Sequence, residues 1–101
     1  MAYNFVATDA FERDYDSALA YIVYELGAPK AASRMIDMMQ HSVDKITEDP
    51  FLNAVSTKPT LESLEYREEF VGNYVMLYKV EGDGIVAKRL FHMSQDYESY
   101  V

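Results

Sequence analysis

Cysteine and tryptophan are both absent from this chain of 101 residues, and only four Gly and three Pro interrupt it. Without cysteine there are no disulfides, no thiolate zinc sites and no thiol nucleophile, so the fold must hold by packing alone. The scarcity of Gly and Pro excludes a long flexible linker, and no repeat or low-complexity segment appears. No run approaches the ~18 apolar residues of a membrane span. The start, Met1-Ala2-Tyr3-Asn4-Phe5, has neither a cationic nor a long apolar region of the kind a secretion signal needs, so a soluble, cytoplasmic protein is expected. Basic residues are also few. Nine Lys plus Arg stand against 17 Asp plus Glu, a net charge of -8, the wrong sign for general nucleic-acid binding. The excess is spread along the chain, at -5 for residues 1–50 and -3 for residues 51–101.

What is present is a half-hydrophobic composition with nine Tyr and five Phe, enough for one modest core over residues 1–101. Tyr3 to Thr8 is β-branched and aromatic enough for a short strand, after which Thr8 or Asp9 offers an N-cap oxygen. From Ala10 to Leu26, Phe11, Tyr15, Ala18, Ile22 and Leu26 recur at spacings of one helical face. Acids crowd the start of that helix and Gly27 ends it. Pro29 suits the first turn of a second helix, whose face is Ala32, Met35, Ile36, Met39, Val43 and Ile46 and which Pro50 terminates. The two helices, so tightly joined, predict an antiparallel hairpin. The group Met35, Met38 and Met39 reads as core filler, with any exposed member free to meet a partner. Tyr15, Tyr21 and Tyr24 are too many for one narrow face, so at least one is expected to meet a neighbour or a partner.

Residues 51–61 read as an irregular connector. Three β-rich runs follow, Leu64 to Val71, Tyr74 to Glu81 and Ile85 to Met93, separated by Gly72-Asn73 and Glu81-Gly82-Asp83-Gly84, which suit tight hairpin turns. The order βααβββ predicts a two-layer α+β domain, an N-terminal helix hairpin on a mainly antiparallel four-stranded sheet.

Thr8 at the end of the first strand, Ala31-Ala32 early in the second helix and Asp49-Pro50 at its end carry a family likeness. So do Leu64-Glu65-Tyr66-Arg67, the run from Val71 to Val80, Arg89-Leu90-Phe91-His92, and Asp96-Tyr97. In this order and spacing the chain resembles toxins of the RelE/ParE superfamily, the plasmid stabilisation family of bacterial type II toxin–antitoxin systems. The resemblance implies neutralisation by a cognate antitoxin and one of two activities. RelE-like members cleave mRNA in the ribosomal A site; ParE-like members poison DNA gyrase without a comparable active site. A third expectation is a catalytically impaired interaction module on the same fold.

Cleavage by a ribose 2'-OH needs a base, an acid and cations for the developing phosphorane charge. The resemblance assigns these roles to Arg67 as phosphate cation, His92 as proton carrier and Tyr97 as base-stacker or acid, with Arg89 and Lys79 as further cations. The chain departs from the nuclease pattern at Val75, Glu69 and Met93-Ser94-Gln95, where basic residues are expected. Read structurally, Arg67 would pair with Glu65 or Glu69, and His92 would share a strand face with Leu90 and Val86. Neither His41 nor His92 has metal-ligand spacing, and no cofactor is implied.

Overall fold

The computed structural model describes residues 3–101; Met1 and Ala2, on which the reading of the N-terminus partly rests, lie outside them. Strand β1 (Asn4–Ala7) leads into helix α1 (Asp9–Ala20), and Thr8 forms the joint. Its Oγ1 accepts the Phe11 N–H at 3.1 Å and donates to the Lys88 carbonyl at 2.9 Å, capping the helix and tying it to the sheet.

The chain then departs from the α-helical pattern. Tyr21–Glu25 forms a π-helical turn before Gly27, which closes it at φ 59°. A π turn accommodates one extra residue and rotates the residues after it about the helix axis. Phe11, Ala18 and Ile22 are therefore buried as expected, but Leu26 is carried off that face and is 58% exposed. Helix α2 (Pro29–Glu48) starts on Pro29 and stops before Pro50. Ala32, Met35, Met39 and Ile46 are buried along it, whereas Ile36 is half exposed. The hairpin packs unevenly: α1 lies against the fourth strand, and α2 against the π turn and the second strand.

The connector holds an element that the sequence did not disclose. Pro59–Ser63 forms a short helix, α3, with Pro59 in its first turn and Leu61 fully buried. The Tyr66 N–H bonds the Leu61 carbonyl at 2.9 Å and the Glu65 N–H the Glu62 carbonyl at 3.0 Å, with Glu65 at φ 60°. This is a Schellman ending with glutamate where glycine is usual. It delays the strand, so β2 is Arg67–Val71 rather than a run from Leu64.

Strands β3 (Tyr74–Glu81) and β4 (Gly84–His92) complete a sheet of order β1-β4-β3-β2, with β1 parallel to β4 and the remaining pairs antiparallel. Both hairpins turn on two residues whose first is a glycine at positive φ, Gly72 at 58° and Gly82 at 61°. The main core lies between helices and sheet and includes Met35, Ile46, Met76, Tyr78, Ile85 and Leu90. A smaller cluster covers part of the outer face. There α3 and a terminal 3-10 turn (Tyr97–Tyr100) bring Leu61 and Tyr97 against Val75, Leu77 and Phe91. Within the described residues no helix is long and apolar enough to cross a membrane.

Candidate functional site

A bulge in β4 sets the direction of every residue after it. Leu77 pairs with Arg89 but Tyr78 pairs with Ala87, so Lys88 is an extra residue without a partner on β3. Ile85 and Ala87 face the helices, and so does Leu90 after the bulge. Val86 therefore faces outward and Leu90 and His92 inward, correcting the expectation that His92 and Val86 share a face. Asp14 of α1 clamps the bulge, accepting Arg89 Nε at 2.7 Å, the second Arg89 nitrogen at 3.2 Å and the Leu90 N–H at 3.0 Å. The hydrogen bond from Asp14 raises the Arg89 pKa, holding the charge inside this pair.

Arg67 opens β2 on the helix side, but it pairs with neither Glu65 nor Glu69. Its guanidinium donates to the Asn53 carbonyl and lies over the Phe51 ring, 5.1 Å from the centroid. Glu69, two residues on, is 3% exposed. Its Oε1 accepts from Asn53 at 2.7 Å, and its Oε2 lies 2.8 Å from Lys45 Nζ, an ion pair without the direction of a good hydrogen bond. Asn53 also reaches the Tyr78 hydroxyl at 3.1 Å. This buried network fastens the connector to the sheet.

His92 ends β4 at the opposite end of the same face. Its ring meets Tyr74 edge-on at 5.2 Å, and its Nδ1 receives the Ser94 N–H at 3.1 Å with Ser94 Oγ 2.6 Å away. Nδ1 is thus an acceptor, and the neutral ring carries its proton on Nε2. Gln95 Oε1 accepts the His92 N–H at 2.9 Å, so Ser94 and Gln95 close the strand end. Tyr74 has its pKa raised by burial and by the neighbouring Tyr21.

Tyr97 lies on the other side of the sheet and is 5% exposed. Its ring stacks on Phe91 at 6.1 Å, and its hydroxyl donates to Glu68 Oε2 at 2.9 Å. Burial first, then the Glu68 hydrogen bond, push its pKa up, so the phenol keeps its proton. Glu68 also accepts from Ser56 at 2.6 Å and raises the pKa of Lys58, which stands over the Tyr97 ring. Lys79 lies over Tyr66, 4.9 Å from its centroid.

The three sequence-predicted residues therefore do not converge. Arg67 pairs across β2–β3 with Tyr78 and His92 across β3–β4 with Tyr74. Four strand positions, roughly 13 Å, separate those levels. Tyr97 is screened from both by the sheet. The departures from the nuclease pattern have structural employment: Val75 fills the outer cluster, Glu69 the connector network, and Ser94-Gln95 the strand end. Among the described residues no group of acids and histidines is placed to hold a metal. Sequence reasoning missed the Asp14–Arg89 clamp and the meeting of Tyr21, Tyr74 and His92. The bulge that creates both leaves no mark in a strand of ordinary composition.

Among curated proteins none matches the chain in sequence. The fold does have solved counterparts. The toxin–antitoxin system ParDE of the P. aeruginosa chromosome contains a chain superposing with a TM-score of 0.69 at 17% identity, covering 90% of this chain and 96% of that one. The toxin–antitoxin complex RelBE2 of Mycobacterium tuberculosis contains one with a TM-score of 0.62 at 15% identity, covering 91% and 99%. Identities this low establish the shared α+β fold alone. A family model, the ParE toxin of the type II toxin–antitoxin system parDE, matches residues 5–97. With nearly its whole length matched on a scaffold of the same fold, the chain belongs to the ParE toxin family of type II toxin–antitoxin systems.

Proposed function

We propose that this chain is a growth-inhibiting toxin held in check by a cognate antitoxin, and that it acts by engaging a protein target, DNA gyrase, rather than by cutting mRNA on the ribosome. One observation carries the choice: Arg67, His92 and Tyr97 lie at two ends and on two faces of the sheet, so no single phosphate reaches all three. General acid–base catalysis requires its groups within hydrogen-bond reach of one reacting centre. The cations are also engaged, Arg67 by a backbone carbonyl, Arg89 by Asp14 and Lys79 by the Tyr66 ring. If each phosphate contact is worth roughly 1–3 kcal/mol, the unmet contacts would slow cleavage by orders of magnitude. The antitoxin partner is supported by the family and by the fold's occurrence in toxin–antitoxin complexes.

Induction in a bacterial host without its antitoxin tests the reading. The expected outcome is arrested growth with trapped gyrase–DNA cleavage complexes and an SOS response. Codon-linked cuts in cellular mRNA, mapped by primer extension, would assign the ribonuclease activity instead. Normal growth at confirmed soluble expression would leave an interaction module.

A further inference from the structure

Strand β4 is nine residues long, but its neighbour β1 is only four and pairs with Gly84–Ala87 alone. From Lys88 to His92, the side of β4 turned away from β3 has no strand beside it among the described residues. The bulge decides which groups face that side. Arg89 pairs with Leu77 and Phe91 with Val75, while the N–H groups of Leu90 and His92 point away from β3. A half-edge with outward donors and acceptors is a template for another strand.

This half-edge borders open space, a concavity of about 670 Å³ lined by Asp14, Leu90, His92 and Gln95 among others. Its backbone groups are instead taken one by one. Asp14 accepts the Leu90 N–H at 3.0 Å, Gln95 Oε1 accepts the His92 N–H at 2.9 Å, and Thr8 Oγ1 donates to the Lys88 carbonyl at 2.9 Å. The Gln95 N–H donates to the His92 carbonyl at 3.0 Å. The two outermost strands are blunted by other means: β1 is short, and β2 is met at Arg67 by Val55.

We propose that Asp14 and Gln95 guard this half-edge, closing a surface on which a second copy of the chain would otherwise add its own β4. Two such half-edges are self-complementary about a two-fold axis at Leu90. Placed antiparallel, Leu90 exchanges both backbone bonds with its counterpart, and the His92 N–H of each copy meets the Lys88 carbonyl of the other. The guarding bonds are intramolecular and carry no cost of association, so they prevail in the native chain. The net charge of -8 adds repulsion between copies. The proposal depends on neither the antitoxin nor the gyrase target.

The test removes the guards at constant net charge. In Asp14→Ala/Arg89→Ala/Gln95→Ala one acid and one base go together, so no lone guanidinium is left behind. Sedimentation equilibrium in about 0.5 M salt, which screens surface charge, should give a monomer for the native chain and a dimer for the triple variant at about 0.5 mM protein. Amide exchange locates the contact. The Leu90 and His92 amides of the variant should exchange at least ~tenfold more slowly in concentrated than in dilute protein, a dependence that local unfolding does not produce. Asp16→Ala/Arg89→Ala makes the same charge change with both guards in place and should stay monomeric. If circular dichroism shows the triple variant unfolded, Asp14→Leu/Arg89→Leu/Gln95→Ala refills the lost volume and takes its place. A folded variant that stays monomeric, a dimer whose Leu90 amide exchanges independently of concentration, or equal association of the native chain or of the control pair would overturn the proposal.

Discussion

At the scale of single residues, side chains that look like chemistry in the sequence are used here to hold segments in place. Tyr97 is the clearest case: its ring is stacked and its proton is committed to Glu68. Tyr97→Phe keeps the stacking and deletes one hydrogen bond, so a loss of about 1–2 kcal/mol in urea unfolding is expected. Toxicity should be retained, as it should in Arg67→Ala; loss of toxicity in a folded Tyr97→Phe protein would return this residue to a catalytic role. Glu65 is the opposite case, a residue that works against its own backbone. It holds φ 60° at the end of α3, where a side chain is strained. Glu65→Gly should raise stability by about 0.5–1 kcal/mol, measured as a higher urea midpoint at unchanged m-value.

At the scale of elements, the decisive joints are the cap of α1 and the bulge of β4, and they are adjacent. Thr8 bonds the carbonyl of Lys88, the extra residue of the bulge, while Asp14, six residues along the helix, receives Arg89 and Leu90. Helix α1 is thus located on β4 by polar contacts at two successive turns as well as by the packing of Phe11 and Ala18. Thr8→Ala should cost about 1–2 kcal/mol through the lost cap and the unpaired carbonyl. Asp14→Ala should cost about 1.5–3 kcal/mol, because it releases a guanidinium and a backbone N–H at once. Hydrogen exchange at Leu90 distinguishes the two: its amide should lose protection in Asp14→Ala and keep it in Thr8→Ala.

At the scale of the whole molecule, stability should fall with rising pH on the alkaline side. Tyr15, Tyr74, Tyr78 and Tyr97 all have pKa values raised above the ordinary 10.0, in each case first by burial. The unfolded chain then loses these protons at lower pH than the folded one. With fewer protons bound in the unfolded state, stability is full below about pH 10 and falls as pH rises beyond it. Ultraviolet titration should show a late-ionising set of tyrosines that collapses onto the ordinary value on unfolding, and Tyr97→Phe should lessen the alkaline loss. The net charge of -8 acts at this scale too, repelling copies of the chain.

What the sequence determined by itself is the frame: two helices bounded by Gly27, Pro29 and Pro50, two hairpins turned on Gly72 and Gly82, and the order that makes an α+β domain. These are local rules of periodicity and of backbone freedom at a few residues, and they operate without knowledge of the rest of the chain. Three features were decided only by the tertiary structure. The π turn, the helix of Pro59–Ser63 and the β4 bulge each re-aim a side chain relative to the periodicity around it: Leu26 is carried off the buried face, Leu61 is set against the outer sheet face, and Arg89 is brought onto Asp14. The candidate site lay beyond reach for the same reason. Arg67, His92 and Tyr97 are residues of the right type in the right order, but the ends and faces of the sheet that separate them are set by strand register and by one unpaired residue, Lys88, which no periodicity in the sequence announces.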